Sequence, residues 1–253
     1  MKVIILSAGQ GKRLYPHTID RPKCLVPIAE NCTILGWQLR QLEAAGIRDV
    51  VIVTGFQAKE VEEEIRRHGG AMTIRTLFNP AHATADNLTS AALAAPEMDQ
   101  DFIILNGDTL FTASVPAGLC AAPFAPVTMV VAWKDRFDED DMKAIVENGR
   151  LKAVAKTLDA RAANAESIGM ILFRAEGVAQ FRQALATAGQ ASDSARKFYL
   201  SAIDILARQH PVAVHPVAQD DWSEVDVPAD LEHARSCIER WRQPGGAGET
   251  ART

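Results

Sequence analysis

Two glycines, two cations and two widely separated acids mark the residues of this 253-residue chain that could do chemistry. The apolar run Val3-Ile4-Ile5-Leu6 gives way to Ser7-Ala8-Gly9-Gln10-Gly11-Lys12-Arg13, and Pro22-Lys23 follows. Glycine has no Cβ, so backbone N–H groups in such a loop can approach a phosphate closely. Arg13 and Lys23 would add fixed positive charge for a polyphosphate. Two commoner phosphate loops are excluded. A dinucleotide fingerprint needs a small residue three positions after the second glycine, where Leu14 stands. A P-loop needs Ser or Thr directly after its Gly-Lys, where this chain has Arg13 at too short a spacing.

The acids come later. Asn106-Gly107-Asp108 ends a predicted strand, the place where open α/β sheets put their ligands. An Asp there also serves as a turn residue or helix cap. In Trp222-Ser223-Glu224-Val225-Asp226, alternation puts Trp222, Glu224 and Asp226 on one strand face, with Val225 and Val227 toward the core. Asp226 also suits the capping of the helix that follows Pro228. Asn87 and Ser90, three apart on a predicted helix, face the same way and suit a base or ribose, while Asp86 suits the N-cap.

The elements that must hold these residues alternate between strand and helix. Strands are predicted at Lys2–Leu6, Val50–Thr54, Met72–Phe78 and Asp101–Leu105, and helices at Thr33–Ala45, Lys59–Arg67 and Asn87–Ala95. The second half reads as a strand at Val127–Trp133, a hairpin over Met142–Lys156 around Asn148-Gly149, and a strand at Ser167–Phe173. Helices at Val178–Ala188 and Lys197–Arg208, strands at Val212–Val217 and Trp222–Val225, and a helix from Pro228 follow. The pattern predicts one domain over 1–242 and a disordered tail over 243–253.

Composition bounds the class. Apolar residues make up 47%, enough for a sizeable core, and the formal charge of −5 with no basic run argues against a nucleic-acid surface. The four cysteines show neither CxxC spacing nor disulfide density, as expected of a reduced cytoplasmic setting. The uncharged stretch Thr109–Trp133 contains three prolines and predicts no membrane span.

The pattern GxGxRLxPxTxxxPKxLVPI, met by Gly9, Gly11, Arg13, Leu14, Pro16, Thr18, Pro22, Lys23, Leu25, Val26, Pro27 and Ile28, resembles the signature of the nucleotidyltransferases. These enzymes join a nucleoside triphosphate to a phosphorylated sugar or alcohol. Asp86-Asn87-Leu88-Thr89-Ser90 is similar to the N-N-x-x-S element of the phosphocholine and inositol-phosphate cytidylyltransferase branch, with Asp86 replacing the first Asn. A Gly-Thr-Ala segment frequent in the sugar-1-phosphate enzymes is missing from this region. Trp222 to Leu231 resembles the branch's late W-x-E-x-D-x-P-x-D-L element.

The resemblance implies a Rossmann-like three-layer α/β/α fold with a mostly parallel mixed sheet and a small β-rich insertion. It implies a nucleotide cradle of Ser7, Ala8, Gly9, Gly11, Asn87 and Ser90, catalytic roles for Arg13 and Lys23, and Mg²⁺ on Asp108 and Asp226, with Glu224 a weaker candidate. CTP and a phosphorylated small-molecule acceptor (phosphocholine, 2-aminoethylphosphonate or a polyol phosphate) are the expected partners, with the protein a monomer or homodimer. Trp133, Lys156, Glu166, Tyr199 and Trp222 are the candidate acceptor residues; the run Asp138 to Asp141 could attract an amine but reads more simply as a solvated loop. A sugar-1-phosphate uridylyl- or thymidylyltransferase, or a non-catalytic nucleotide sensor on the same fold, are the alternatives.

Overall fold

The computed structural model describes residues 1–243, so the predicted tail, apart from Gln243, lies outside the described residues. The first strand, β1 (Lys2–Ser7), is buried at all six positions because both its faces are covered. After the glycine loop come a short hairpin, β2 (Pro27–Ala29) and β3 (Cys32–Thr33), and helix α1 (Ile34–Ala44), whose first turn Thr33 caps by accepting from Gly36 N at 2.9 Å. Then follow β4 (Asp49–Thr54), α2 (Ala58–His68), β5 (Thr73–Phe78), α3 (Asn87–Leu93), β6 (Phe102–Asn106), β7 (Thr109–Phe111) and α4 (Ser114–Ala121). The second half supplies β8 (Val127–Trp133), β9 (Lys143–Glu147), β10 (Arg150–Val154), β11 (Ala165–Phe173), α5 (Glu176–Gly189), α6 (Leu200–Gln209), β12 (Ala213–Val217), β13 (Trp222–Glu224) and α7 (Pro228–Trp241).

Nine strands form one sheet in the order β5-β4-β1-β6-β11-β8-β12-β10-β9. From β5 to β6 the strands run parallel; β11 then pairs antiparallel with both β6 and β8, and the β9–β10 hairpin closes the far edge. Alternate residues of β1 point to opposite faces. Ile4 and Leu6 pack with Leu88 of α3, Phe181 of α5 and Ile203 of α6, whereas Val3 and Ile5 pack with Leu39 of α1, Val61 of α2 and Leu119 of α4. The expected α/β/α sandwich is therefore built on the two faces of a single strand. A third apolar cluster joins Leu14, Val26 and Ile28 to Leu231 and Ile238 of α7. Those motif positions serve packing, not ligand contact.

Three local expectations need correction. The predicted Lys197–Arg208 helix starts only at Leu200, because Lys197 closes a separate short turn and Phe198 lies between. The hairpin β2–β3 and the strand β7 have no counterpart in the predicted elements, each strand being only two or three residues long, whereas β13, the partner of β7, matches the predicted strand at Trp222–Val225. Among the described residues no helix is long and apolar enough to cross a membrane.

Candidate active site

The glycine loop, the β6 terminus and the β13 terminus converge on one cleft of about 290 Å³. Ser7, Ala8, Gly9, Gly11, Arg13, Lys23, Asn87, Ser90, Asp108 and Asp226 all line it. Every nucleotide and catalytic residue expected from the sequence thus reaches a single cavity, as do the two expected metal residues Asp108 and Asp226, while the weaker candidate Glu224 lines the neighbouring one. Two glycines are required for its shape. Gly11 has φ +75°, and a Cβ there would come within 2.8 Å of Lys23 Cβ. A Cβ on Gly107 would meet Ser7 Oγ at 2.3 Å and Leu6 O at 2.6 Å, so the turn that presents Asp108 can be made only by glycine. Around Gly9 nothing lies within 4 Å; its missing side chain leaves the cleft open instead. Thr18, fully buried, braces the loop by donating to Gly11 O at 2.7 Å.

Lys23 is the centre of the charge arrangement. Its Nζ donates to Asp108 Oδ2 at 2.7 Å and also to Asp226 Oδ1. Burial alone would lower its pKa, but the charges of Asp108 and Asp226 override this and hold the ammonium above the ordinary lysine value. Arg13 reaches the other oxygen of Asp226 at 2.9 Å. Burial opposes ionisation of Asp226, and Lys23 and then Arg13 overcome it, holding its pKa below the ordinary carboxylate value.

The capping alternative for Asp226 fails on the structure. Asp230, not Asp226, accepts from the backbone N–H groups of Asp226 and Val227, each at 2.8 Å, at the start of α7. Asp226 is left to face the cleft. Asp86 likewise makes no side-chain cap bond and lines the same cavity.

Glu224 belongs to the acidic group. Oxygens of Asp108, Glu224 and Asp226 all lie within 4.8 Å of one another. Burial, and then the charges of Asp108 and Asp226, push the Glu224 carboxyl well above its usual range. Asp108 Oδ1 is buried with no hydrogen-bond partner. A cluster of hard oxygen donors with one oxygen orphaned suits Mg²⁺, which takes one or two carboxylates and keeps waters and phosphate oxygens. The expected metal residues therefore fit that ion.

A second cavity of about 380 Å³ adjoins the first and shares Asp226 with it. Asp138, Asp141, Glu166, Trp222 and Asp230 are among its walls. Lys134 bridges Asp141 at 2.7 Å and Glu166 at 2.9 Å. Burial drives Glu166 up to about 7 despite Lys134, while Lys134 keeps Asp141 below its usual value.

Of the aromatic candidates, only Trp222 lines this cavity, and it is 93% buried in the core cluster beside β7. Tyr199 is fully buried among the α3, α5 and α6 side chains, and Trp133, at the open end of β8, borders neither cavity. Tyr199 still supports the site indirectly, since its N–H donates to Asn87 Oδ1 at 2.8 Å. Ser90 Oγ is similarly engaged, accepting from Asn79 Nδ2 at 3.0 Å.

Sequence reasoning missed His82, Phe198 and the pairing of Asp140. His82 and Phe198 line the first cleft, and Lys156 sits 5.0 Å over the Phe198 ring. His82 follows the carboxyl end of β5, and that position was the available signal.

Residues 2–122 match the family model described as nucleotidyl transferase, and the chain carries that domain. Over 125 residues it is 37% identical to CMP-5'-(3-aminopropyl)phosphonate synthase of Streptomyces rubellomurinus, a match covering 49% of this chain and 20% of that protein. Over 111 residues it is 32% identical to choline-phosphate cytidylyltransferase of Streptococcus pneumoniae, covering 44% of this chain and 46% of the relative. The matched regions thus span less than half of each relative's length. The structure of the inositol-1-phosphate CTP transferase from T. maritima superposes with a TM-score of 0.79 at 20% identity, covering 96% of each chain, and so shares the fold.

Proposed function

We propose that this chain transfers CMP from CTP to a small phosphate or phosphonate that carries an amine, releasing pyrophosphate. The observation that carries the reading is the meeting of Gly9, Gly11, Arg13 and Lys23 with Asp108 and Asp226 in one cleft. The expected acceptor oxygen is already anionic near neutral pH, so no general base is needed. It attacks the α-phosphorus in line, a new P–O bond forms, and the bond to the β-phosphate oxygen breaks with its electrons leaving on pyrophosphate. The work left to the protein is orientation and charge neutralisation.

Loop amides at Ser7 to Gly11 would cradle the triphosphate, with Arg13 and Lys23 supplying cationic donors. Asp108, Glu224 and Asp226 would hold Mg²⁺, which when bound supplies charge neutralisation at the α-phosphate. Asn87 and Ser90 would face the base or ribose, in support of CTP, as do the two cytidylyl-type relatives. For the acceptor, the walls of the second cavity favour an ammonium able to donate hydrogen bonds. Asp141, Glu166 and Asp230 surround it, whereas the aromatic cage that a quaternary ammonium wants is reduced to Trp222.

The test is pyrophosphate release with Mg²⁺, each of five nucleoside triphosphates, and a panel of aminoalkylphosphonates, phosphocholine, inositol phosphate and hexose 1-phosphates. Release with CTP and an amine-bearing acceptor is expected. Preference for UTP or dTTP with a hexose 1-phosphate would overturn the assignments of Asn87 and Ser90. Nucleotide binding without turnover across the panel would favour a sensor.

A further inference from the structure

Asp140 makes a contact that the reaction above does not use. It lies in the loop between β8 and β9, where one of its oxygens accepts from Arg13 Nη1 at 2.6 Å and the other from Lys156 Nζ at 3.2 Å. Arg13 comes from the glycine loop and Lys156 from just beyond β10, so a single carboxylate ties together two cations far apart in the chain. Both cations adjoin the nucleotide space: Arg13 lines it, and Lys156 lies over Phe198, which also lines it.

The loop bearing Asp140 is anchored. Lys143 is buried, and its ammonium donates to Lys156 O at 2.9 Å and to Glu139 O at 3.4 Å. One lysine thereby fixes the backbone of Lys156 and of the residue before Asp140 in relation to each other. The Asp140 side chain itself is 66% exposed and has room to rotate away without unpacking anything. A carboxylate held between two cations offers two oxygens on one atom, as a phosphate group does.

We propose that Asp140 is a built-in competitor for phosphate: it pairs with Arg13 and Lys156 in the free chain, and a phosphate group of the nucleotide or of the acceptor displaces it. The displacement rests on the reading of Arg13 as a phosphate-binding group and of Lys156 as an acceptor residue; the competition rests on geometry alone. Each displaced pair is solvent-exposed and individually weak, so removing the competitor should tighten anion binding by about three- to tenfold. The competitor also acts on the way out, since its return to the two cations assists the departure of pyrophosphate.

The experiment measures equilibrium binding of CTP, inorganic pyrophosphate, inorganic phosphate and the active acceptor by calorimetry, for the wild type, Asp140→Asn and Asp140→Glu. We expect Asp140→Asn to bind at least one of these anions about three- to tenfold more tightly, with stronger inhibition by pyrophosphate. Asp140→Glu, still able to pair with both cations, should stay near wild type. Gains for CTP and pyrophosphate identify the nucleotide as the displacing ligand; a gain for inorganic phosphate and acceptor alone identifies the acceptor. Unchanged or weaker binding of every anion overturns the proposal, as does a loss confined to the acceptor, which would make Asp140 a direct contact to it. Pyrophosphate release is scored separately. A wild type silent with every substrate pair removes the transferase reading while the binding comparison still decides the role of Asp140.

Discussion

Lys23 and Asp226 lie 203 positions apart in the chain and form an ion pair on the floor of the cleft. The same ammonium holds Asp108 at 2.7 Å. Lysine thus stands between the two acids that would receive a divalent cation, and metal and ammonium act on the same carboxylates.

That competition gives a test independent of turnover. Lys23→Ala should lower kcat/KM by about 10²- to 10³-fold, the cost of removing a preorganised charge from a phosphoryl-transfer site. It should also make Mg²⁺ raise the melting temperature more than it does in wild type, because two carboxylates lose their internal cation. Equal Mg²⁺ shifts in the two proteins would remove Lys23 from the metal site's charge balance.

Chelation should abolish pyrophosphate release, and added Mg²⁺ should restore it. Asp226→Asn should lower activity by about a hundredfold or more while α7 stays capped, since Asp230 makes the cap. A helix-content loss matching the activity loss, read by circular dichroism, would reassign Asp226 to structure.

Gly9 and Gly11 should respond oppositely to alanine. Gly9→Ala meets no atom within 4 Å, so its melting temperature should stay near wild type while CTP binds about tenfold more weakly. Gly11→Ala adds left-handed backbone strain and a clash with Lys23 Cβ, and should lose about 1–2 kcal/mol of stability. Full CTP affinity in a folded Gly9→Ala protein would exclude close backbone approach at that position.

Glu166 supplies a pH signature. Its folded pKa, pushed up to about 7, exceeds the ordinary 4.5 chiefly through burial. Between those values the folded state binds more protons than the unfolded one. This contribution to stability is therefore complete below 4.5 and lost as pH rises through 7. Glu166→Gln should flatten that decline, measured as the melting-temperature difference between pH 5 and pH 8. An identical decline in both proteins would show that another group causes it.

The local chemistry of the site was legible in the sequence because most of it sits in short, spaced motifs. Gly11, Lys23 and Asp108 needed only a strand end and a glycine turn to be placed. Aromatic residues were harder to place. Tyr199 and Trp222 carry the same composition signal whether they wall a cavity or fill a core, and burial decided for the core in one and largely so in the other. Asp140 was hidden in a run of four acids, Asp138 to Asp141, where no periodicity says which carboxylate finds Arg13. The β7–β13 ribbon was only half readable: alternation marks Trp222 to Asp226, but the three-residue β7 has too few positions to show it, and its partner lies over a hundred residues away.

That ribbon has a consequence for how the protein comes to be finished. Val225 N–H donates to Asp108 O at 3.2 Å, so the second acid is delivered to the first by β13, the last strand of the described residues. During synthesis the glycine loop, Lys23 and the parallel half of the sheet can all form while Asp226 is still unmade. The proposed nucleotide cradle and metal site would therefore mature at different times, and the appearance of metal affinity in a refolding experiment would time the docking of the β7–β13 ribbon and α7.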